Sequence, residues 1–404
     1  VESGLHLLPA NGAVEEVTSA AVERRLLAGY LHAAYGAVVV AYLAGEGAYL
    51  GIAVDDVLEA LELDREQVLW VGSRGGMEEA LVTRREIPYS SIPAAGLHGV
   101  GWRKLPGNLW QLFKGFLASV RILRDFDPDV LLFTGGYVAF PMAVAALPRE
   151  SLLFVPDIEP GLALEALARF ADRIALTTET SRAYFPNEKK LIVTGYPVRP
   201  GLKSWTREKA LDYFGFQPDL PTLAVAGGSK GARSINFALM DALPDLLDEM
   251  QVIHLTGHLD WEAVEANAQE LSPEKASRYQ AFPYLHEIGA VFAAADLIIS
   301  RAGASTLGEY PLFGLPAILV PYPHAWRYQK INANYLAERG AAVILRDEDL
   351  QAQLYNRIHE LISDREKLSK MSQAMAFLAS PEAAERIAQL IRELAGESEG
   401  GVPA

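Results

Sequence analysis

TLAVAGGSKGARSIN, residues 222–236, runs from a short apolar stretch through a glycine turn into helix-forming residues, and DLIISRAGASTLGE, residues 296–309, does the same. Each apolar stretch reads as a buried parallel strand, and the small residues after it let the backbone turn closely before a helix. The unpaired N–H groups of such a helix start carry partial positive charge and favour a phosphate. One glycine turn is a weak signal. Two in adjacent strand–helix units, with Glu309 suited to a ribose hydroxyl and the polar run HAWRYQKINAN at residues 324–334, imply one nucleotide gripped from several sides. Gly227, Gly228 and Gly231 together exceed the single glycine of a plain left-handed turn, which favours phosphate contact.

Outward from these turns, strand-like and helix-like segments alternate. AVVVAYL, QVLWVG, DVLLFT, SLLFV, RIALT and LIVT precede the proline- and glycine-dense GYPVRPG at residues 195–201; TLAVA, QVIHLT, DLIIS, AILVP and AAVILR follow it. This is the pattern of βαβ units on parallel sheets, with a hinge between two of them. The expected fold is α/β, two doubly wound Rossmann-like domains facing across a cleft, the GT-B glycosyltransferase architecture. The expected division is an N-terminal extension over 1–36, a first Rossmann-like domain over 37–197, a second over 198–396 with C-terminal helices, and a flexible tail over 397–404. Ligands of open α/β sheets bind at the carboxyl ends of the strands, which such a pair turns toward one cleft.

At 404 residues, 50% apolar and 22% charged, the chain is long enough for two cores. A net charge of -15 argues against broad nucleic-acid binding. No cysteine is present, which excludes disulfides, thiolate metal sites and cysteine nucleophiles and fits a cytoplasmic setting. The opening VESG lacks the basic region of a signal peptide. Residues 26–45 are free of charge for about the length of a membrane span, but their composition reads better as a helix running into a core strand.

The motifs VLWVGSRGGMEEALV (68–82), DVLLFTGGYVAFP (129–141), VTGYPVR (193–199), GGSKGARSIN (227–236), RAGASTLGEYPLFGLPAILVPYPHA (301–325) and RYQKINA (327–333), in this order, resemble the MurG family of peptidoglycan glycosyltransferases. The resemblance implies inverting transfer of N-acetylglucosamine from UDP-N-acetylglucosamine to undecaprenyl-pyrophosphoryl-MurNAc-pentapeptide, lipid I, at the cytoplasmic face of the membrane. It places Arg199, Gly228, Ser229 and Gly231 at the donor diphosphate, Ala304, Ser305 and Thr306 at phosphate, Glu309 on the ribose hydroxyls, and Gln329 and Asn332 on the sugar. An arginine near phosphate and an acid near neutral diols are chemically apt. The competing readings are a first-turn helix acid for Glu309, a hinge-surface arginine for Arg199 and a solvated helix face for Gln329 and Asn332.

Two segments depart from the family. Its members begin with GGTGGH, whereas this chain reads AGEGAYLG at 44–51, with Leu50 at the histidine position and the Glu46 carboxylate where phosphate is expected. An HEQN-like segment is replaced by VPDIEPGLALEA at 155–166. Its carboxylates, Asp157 first and Glu159 second, are the candidate general bases; the competing reading has both capping the helix that begins near Gly161. The altered start leaves two alternatives: a transferase with another lipid acceptor, or an inert UDP-sugar-binding paralogue. No metal cluster is legible and no cofactor is expected, so helix termini and arginine would stabilise the leaving diphosphate.

Between Ile87 and Arg124 no acid occurs, while Arg103, Lys104, Lys114, Arg121 and Arg124 interleave with Trp102, Trp110, Phe113 and Phe116. Such a segment suits anionic lipid headgroups. Its helical spacing also predicts a core-facing stripe of Leu109, Leu112, Phe113, Phe116, Val120 and Leu123.

Overall fold

The computed structural model describes residues 38–41, 57–73, 77–95, 105–136, 138–147, 149–198, 200–228, 231–323 and 328–396. The altered glycine loop, Trp102, Arg103, Lys104, Arg199, Ser229 and the tail lie outside them.

Two parallel sheets organise the chain. The first holds β1 (Val38–Ala41), β2 (Val68–Ser73), β3 (Tyr89–Ile92), β4 (Val130–Phe133), β5 (Glu150–Val155), β6 (Arg173–Leu176) and β7 (Leu191–Val193), in the order β3-β2-β1-β4-β5-β6-β7. The second holds β8 (Thr222–Ala226), β9 (Gln251–Leu255), β10 (Tyr279–Phe282), β11 (Leu297–Ser300), β12 (Ala317–Leu319) and β13 (Ala342–Ile344), in the order β10-β9-β8-β11-β12-β13. Central strands such as β4, VLLF, and β11, LIIS, are buried throughout, which is why they read as unbroken apolar runs. The helices that bear on the site are α1 (Leu105–Phe126), α2 (Ala139–Ala145), α3 (Leu162–Leu167), α4 (Arg233–Glu249), α5 (Trp261–Ala268), α6 (Glu309–Phe313), α7 (Tyr328–Glu338), α8 (Leu350–Ser363) and α9 (Ala383–Leu394).

Strand order reverses between β1 and β4 and again between β8 and β11. Since β8 and β11 are TLAVA and LIIS, the two glycine turns lie side by side at the switch point of the second sheet, with Ala226 paired to Ser300. That is where doubly wound sheets open a crevice for ligands.

The α1 stripe is corrected. Leu109, Trp110, Phe113 and Leu117 are 52%, 58%, 49% and 53% exposed, and Trp110 and Phe113 stack at 5.6 Å. Of the expected stripe Leu123 is buried and Leu112, Phe116 and Val120 are half-buried, and the fully buried line runs through Gly115, Ser119 and Leu123. A Cβ at Gly115 would collide with Pro93 O, so small residues bring α1 onto the sheet edge and turn its large apolar side chains outward.

The stretch at residues 195–198, where a hinge was expected, is packed tightly. Tyr196 and Val198 are buried, Tyr196 meets Phe154 edge-on, and a Cβ at Gly308 would lie 2.7 Å from the Tyr196 ring. Gly195, at φ +93°, has no room for a Cβ against Ser380. There the chain crosses back, and α9 packs on β4 and β5 of the first sheet, with Arg392 Nη2 donating to Ala60 O at 2.7 Å.

His254, inside β9, is fully buried, and burial lowers its pKa from 6.5 to about 3. Below pH 6.5 the unfolded chain therefore takes up a proton that the folded chain refuses until about pH 3. This residue's contribution falls by about 1.4 kcal/mol per pH unit through that window as pH drops. Urea unfolding at pH 7 and pH 5 should show His254→Gln losing about 2 kcal/mol less than the parent chain on acidification. Equal losses would contradict the assignment.

Candidate active site in the cleft

Three glycines shape the turn after β8. Gly228 and Gly231 have φ of +82° and +79°, a Cβ at Gly227 would strike Ala232 N, and one at Gly231 would strike Thr256 O. The turn by itself thus requires all three, so their number no longer argues for phosphate. The stronger argument is the helix it feeds. The N-cap residue of α4, Ala232, offers no side-chain cap, and the first turn holds Arg233 and no acid. A 17-residue helix opening at a switch point presents the kind of N–H groups that favour an anion.

Facing it, β11 leads through Arg301 to the short 3-10 turn Ala304–Leu307, which also lacks a first-turn acid and a side-chain cap. Ala304 and Ser305 are partly exposed, while Thr306 is buried and spends its hydroxyl on Gly303 O at 2.7 Å. Of these three, the side chain of Thr306 serves the turn. Glu309 opens α6 and is buried, unlike an ordinary solvated first-turn acid. Arg301, which the sequence reading did not single out, donates to Asp347, Ser234 Oγ and Val320 O and lies over the Tyr322 ring. It ties β11, the first turn of α4 and the lead-in to α8 into one rigid unit, and Asp347 neutralises it.

The two halves meet through α7. Asn332 is fully buried; its Nδ2 donates to Asp157 Oδ1 at 2.8 Å and to Ala302 O at 3.2 Å, and its Oδ1 accepts from Ile158 N at 3.3 Å. One amide therefore joins the carboxyl end of β5 to that of β11. Tyr328 closes the same seam, with its hydroxyl 3.4 Å from where a Gly161 Cβ would sit. Gln329 accepts from Tyr322 N at 2.9 Å and shapes the loop after β12. Gln329 and Asn332 thus both act on protein groups.

Asp157 is half-buried at the seam and Glu159 is buried beside it. The N-cap position of α3 is Gly161, two residues beyond Glu159. On the neighbouring strand of the same sheet lies a feature that the sequence reading quoted only within a family motif and did not single out as a site. After β4, Gly135 and Gly136 both have positive φ, at +120° and +87°, and the buried Thr134 hydroxyl has no hydrogen-bond partner among the described residues. The signal was a strand-then-glycine pattern, FTGG, of the kind read in the second half. Among the described residues no group of three or more histidine or carboxylate side chains could hold a metal ion.

Comparison with known proteins agrees with this layout. Residues 50–176 match the Glycosyltransferase family 28 N-terminal domain and residues 222–389 the Glycosyltransferase family 28 C-terminal domain. The UDP-N-acetylglucosamine--N-acetylmuramyl-(pentapeptide) pyrophosphoryl-undecaprenol N-acetylglucosamine transferase of Desulforamulus reducens is 36% identical over 340 residues, covering 81% of this chain and 90% of the relative. The enzyme of the same name from Roseiflexus sp. is 38% identical over 371 residues, covering 82% and 84%. The crystal structure of Acinetobacter baumannii MurG superposes with a TM-score of 0.69 at 26% identity, over 88% of this chain and 99% of that one.

Proposed function

Because the chain belongs to the MurG family of glycosyltransferases, we propose that its cleft runs that family's reaction, with the paired turns after β8 and β11 as the donor site and Asp157 as the base. The chain transfers N-acetylglucosamine from UDP-N-acetylglucosamine to undecaprenyl-pyrophosphoryl-MurNAc-pentapeptide, converting lipid I to lipid II in peptidoglycan synthesis. The observation that carries the site reading is the adjacency of the two turns at one switch point, facing a carboxylate from the other sheet.

In this reading the acceptor hydroxyl gives its proton to Asp157 as its oxygen attacks the anomeric carbon from the face opposite UDP. The carbon–oxygen bond to the diphosphate breaks, and its electron pair leaves with UDP, inverting the centre. Donor diphosphate charge is met by the N–H groups opening α4 and by the 304–307 turn, in a site where preformed dipoles do the stabilising. Arg199 and Ser229 join them, and Glu309 binds the ribose hydroxyls. Asn332 and Gln329 reach the sugar by exchanging protein partners for its hydroxyls. The positive-φ turn at Gly135 and Gly136, with the Thr134 hydroxyl, suits the acceptor diphosphate.

The experiment that tests the whole reading is UDP release from UDP-N-acetylglucosamine with and without a lipid I analogue. Acceptor-dependent release is expected. Donor binding with no release would favour another lipid acceptor or an inert paralogue, the alternatives raised by the 44–51 loop.

The exposed apolar face of α1 supports a peripheral position on the cytoplasmic leaflet. No helix among the described residues is long and apolar enough to cross a membrane. Leu109, Trp110, Phe113 and Leu117 form a patch on an acid-free segment of an otherwise acidic chain, beside Lys114 and Arg121. Replacing Trp110, Phe113 and Leu117 together by serine should weaken co-sedimentation with phosphatidylglycerol vesicles by about tenfold or more, each side chain giving up part of its apolar transfer energy. Unchanged sedimentation would remove this face as the membrane contact.

A further inference from the structure

Four buried polar side chains beneath α4 form one connected chain. Tyr279 on β10 meets His254 on β9, with 2.8 Å between the phenol oxygen and Nδ1; His254 Nε2 lies 3.0 Å from Asn236 Oδ1 on α4. Asn236 Nδ2 then donates to Thr256 O at 2.8 Å and to Asp260 Oδ2, at the start of α5, at 2.9 Å. All four residues are buried.

The direction of every bond follows from chemistry. Thr256 O and a carboxylate can only accept, so the amide nitrogen of Asn236 must face them and its oxygen must face the histidine. His254 therefore carries its proton on Nε2, and Nδ1 accepts from the Tyr279 hydroxyl. Burial keeps the ring neutral and holds the phenol protonated, as this arrangement requires.

Apolar side chains would fill this space without the desolvation of four polar groups. What hydrogen bonds add is a defined position. Thr256 O, which receives Asn236, is the same carbonyl against which Gly231 leaves no room for a Cβ. The turn and the first turn of α4 are thus seated on one atom at the end of β9, and the chain through His254 fixes that seat from behind. We infer that Tyr279, His254, Asn236 and Asp260 are positioning residues that set where the opening N–H groups of α4 point, an inference that rests on the donor-site reading above. Misplacing such groups by about an ångström is enough to cost up to about 100-fold.

The test compares UDP with uridine, which lacks the phosphates, by calorimetry on the full chain. His254→Leu fills the space but cannot donate to Asn236, whereas His254→Gln places an amide N–H near the Nε2 position. His254→Leu should weaken UDP by about tenfold or more while uridine changes by less than about twofold, and His254→Gln should restore most of the loss. The donor KM should follow the UDP affinity. If His254→Leu does not fold, Tyr279→Phe breaks the chain at its outer end and should move the same ratio in the same direction by a smaller factor. A fall in melting temperature with an unchanged ratio of UDP to uridine affinity would reduce the chain to a structural role and overturn the inference. A parent chain that binds uridine as tightly as UDP would overturn the diphosphate reading first, and this one with it.

Discussion

With Asp157 as the proposed base, Asp157→Asn should lower kcat by about 10²–10⁴, the usual contribution of a positioned general base, and leave UDP affinity within a factor of about two. The asparagine keeps an oxygen where Asp157 Oδ1 accepts from Asn332 at 2.8 Å, so the seam between β5 and α7 stays closed. What it cannot do is take a proton. Asp157→Ala removes both the base and the acceptor for a fully buried amide, and should add to the kinetic loss a lower melting temperature. Comparing the two separates proton transfer from seam closure. If Asp157→Asn turns over within a few-fold of the parent while Glu159→Gln does not, the base is Glu159 and Asp157 is part of the seam.

Gly231→Ala should raise the donor KM by about tenfold or more. At φ +79° a side chain costs roughly 1–2 kcal/mol, and the new methyl meets a backbone carbonyl that β9 holds in place, adding about 1–3 kcal/mol of overpacking. Relief comes only from shifting the turn, and the turn feeds the helix start proposed to meet the diphosphate. Gly215→Ala is the matched control: it has φ +70° at the C-cap of the helix Arg207–Phe214, with nothing near its would-be Cβ. It should cost stability through backbone strain alone and leave donor KM unchanged. Equal KM effects of the two would detach the turn after β8 from the donor.

Most strands read from apolar runs are central ones buried on both faces, because a doubly covered parallel strand leaves no polar alternation to obscure it; the edge strands β7 and β13 were legible because LIV and AVI are still unbroken apolar runs. β3 and β10 escaped that reading. YSSI and YQAF are the outermost strands of their sheets and only partly buried, so their composition matches a loop as well as a strand. The α1 stripe was misread for a related reason. Periodicity reports that a helix has an apolar face, and only the neighbours decide whether that face meets the core, a bilayer or nothing. Here Gly115 and Ser119 make the close contact, and the larger side chains are left outside.

Sequence alone determined the two doubly wound halves and the two strand–glycine turn–helix passages on which the proposed donor site rests. Each of these is local: a short apolar run, a turn that only glycine can make, a helix start. Tertiary structure decided what the polar groups touch. Asn332 reaches Asp157 across 175 positions of chain, Arg301 reaches Asp347 across 46, and His254 finds Asn236 and Tyr279 from three different elements. Such partners are chosen by the need to satisfy each buried polar group once the sheets have stacked, and no periodicity along the chain records that choice.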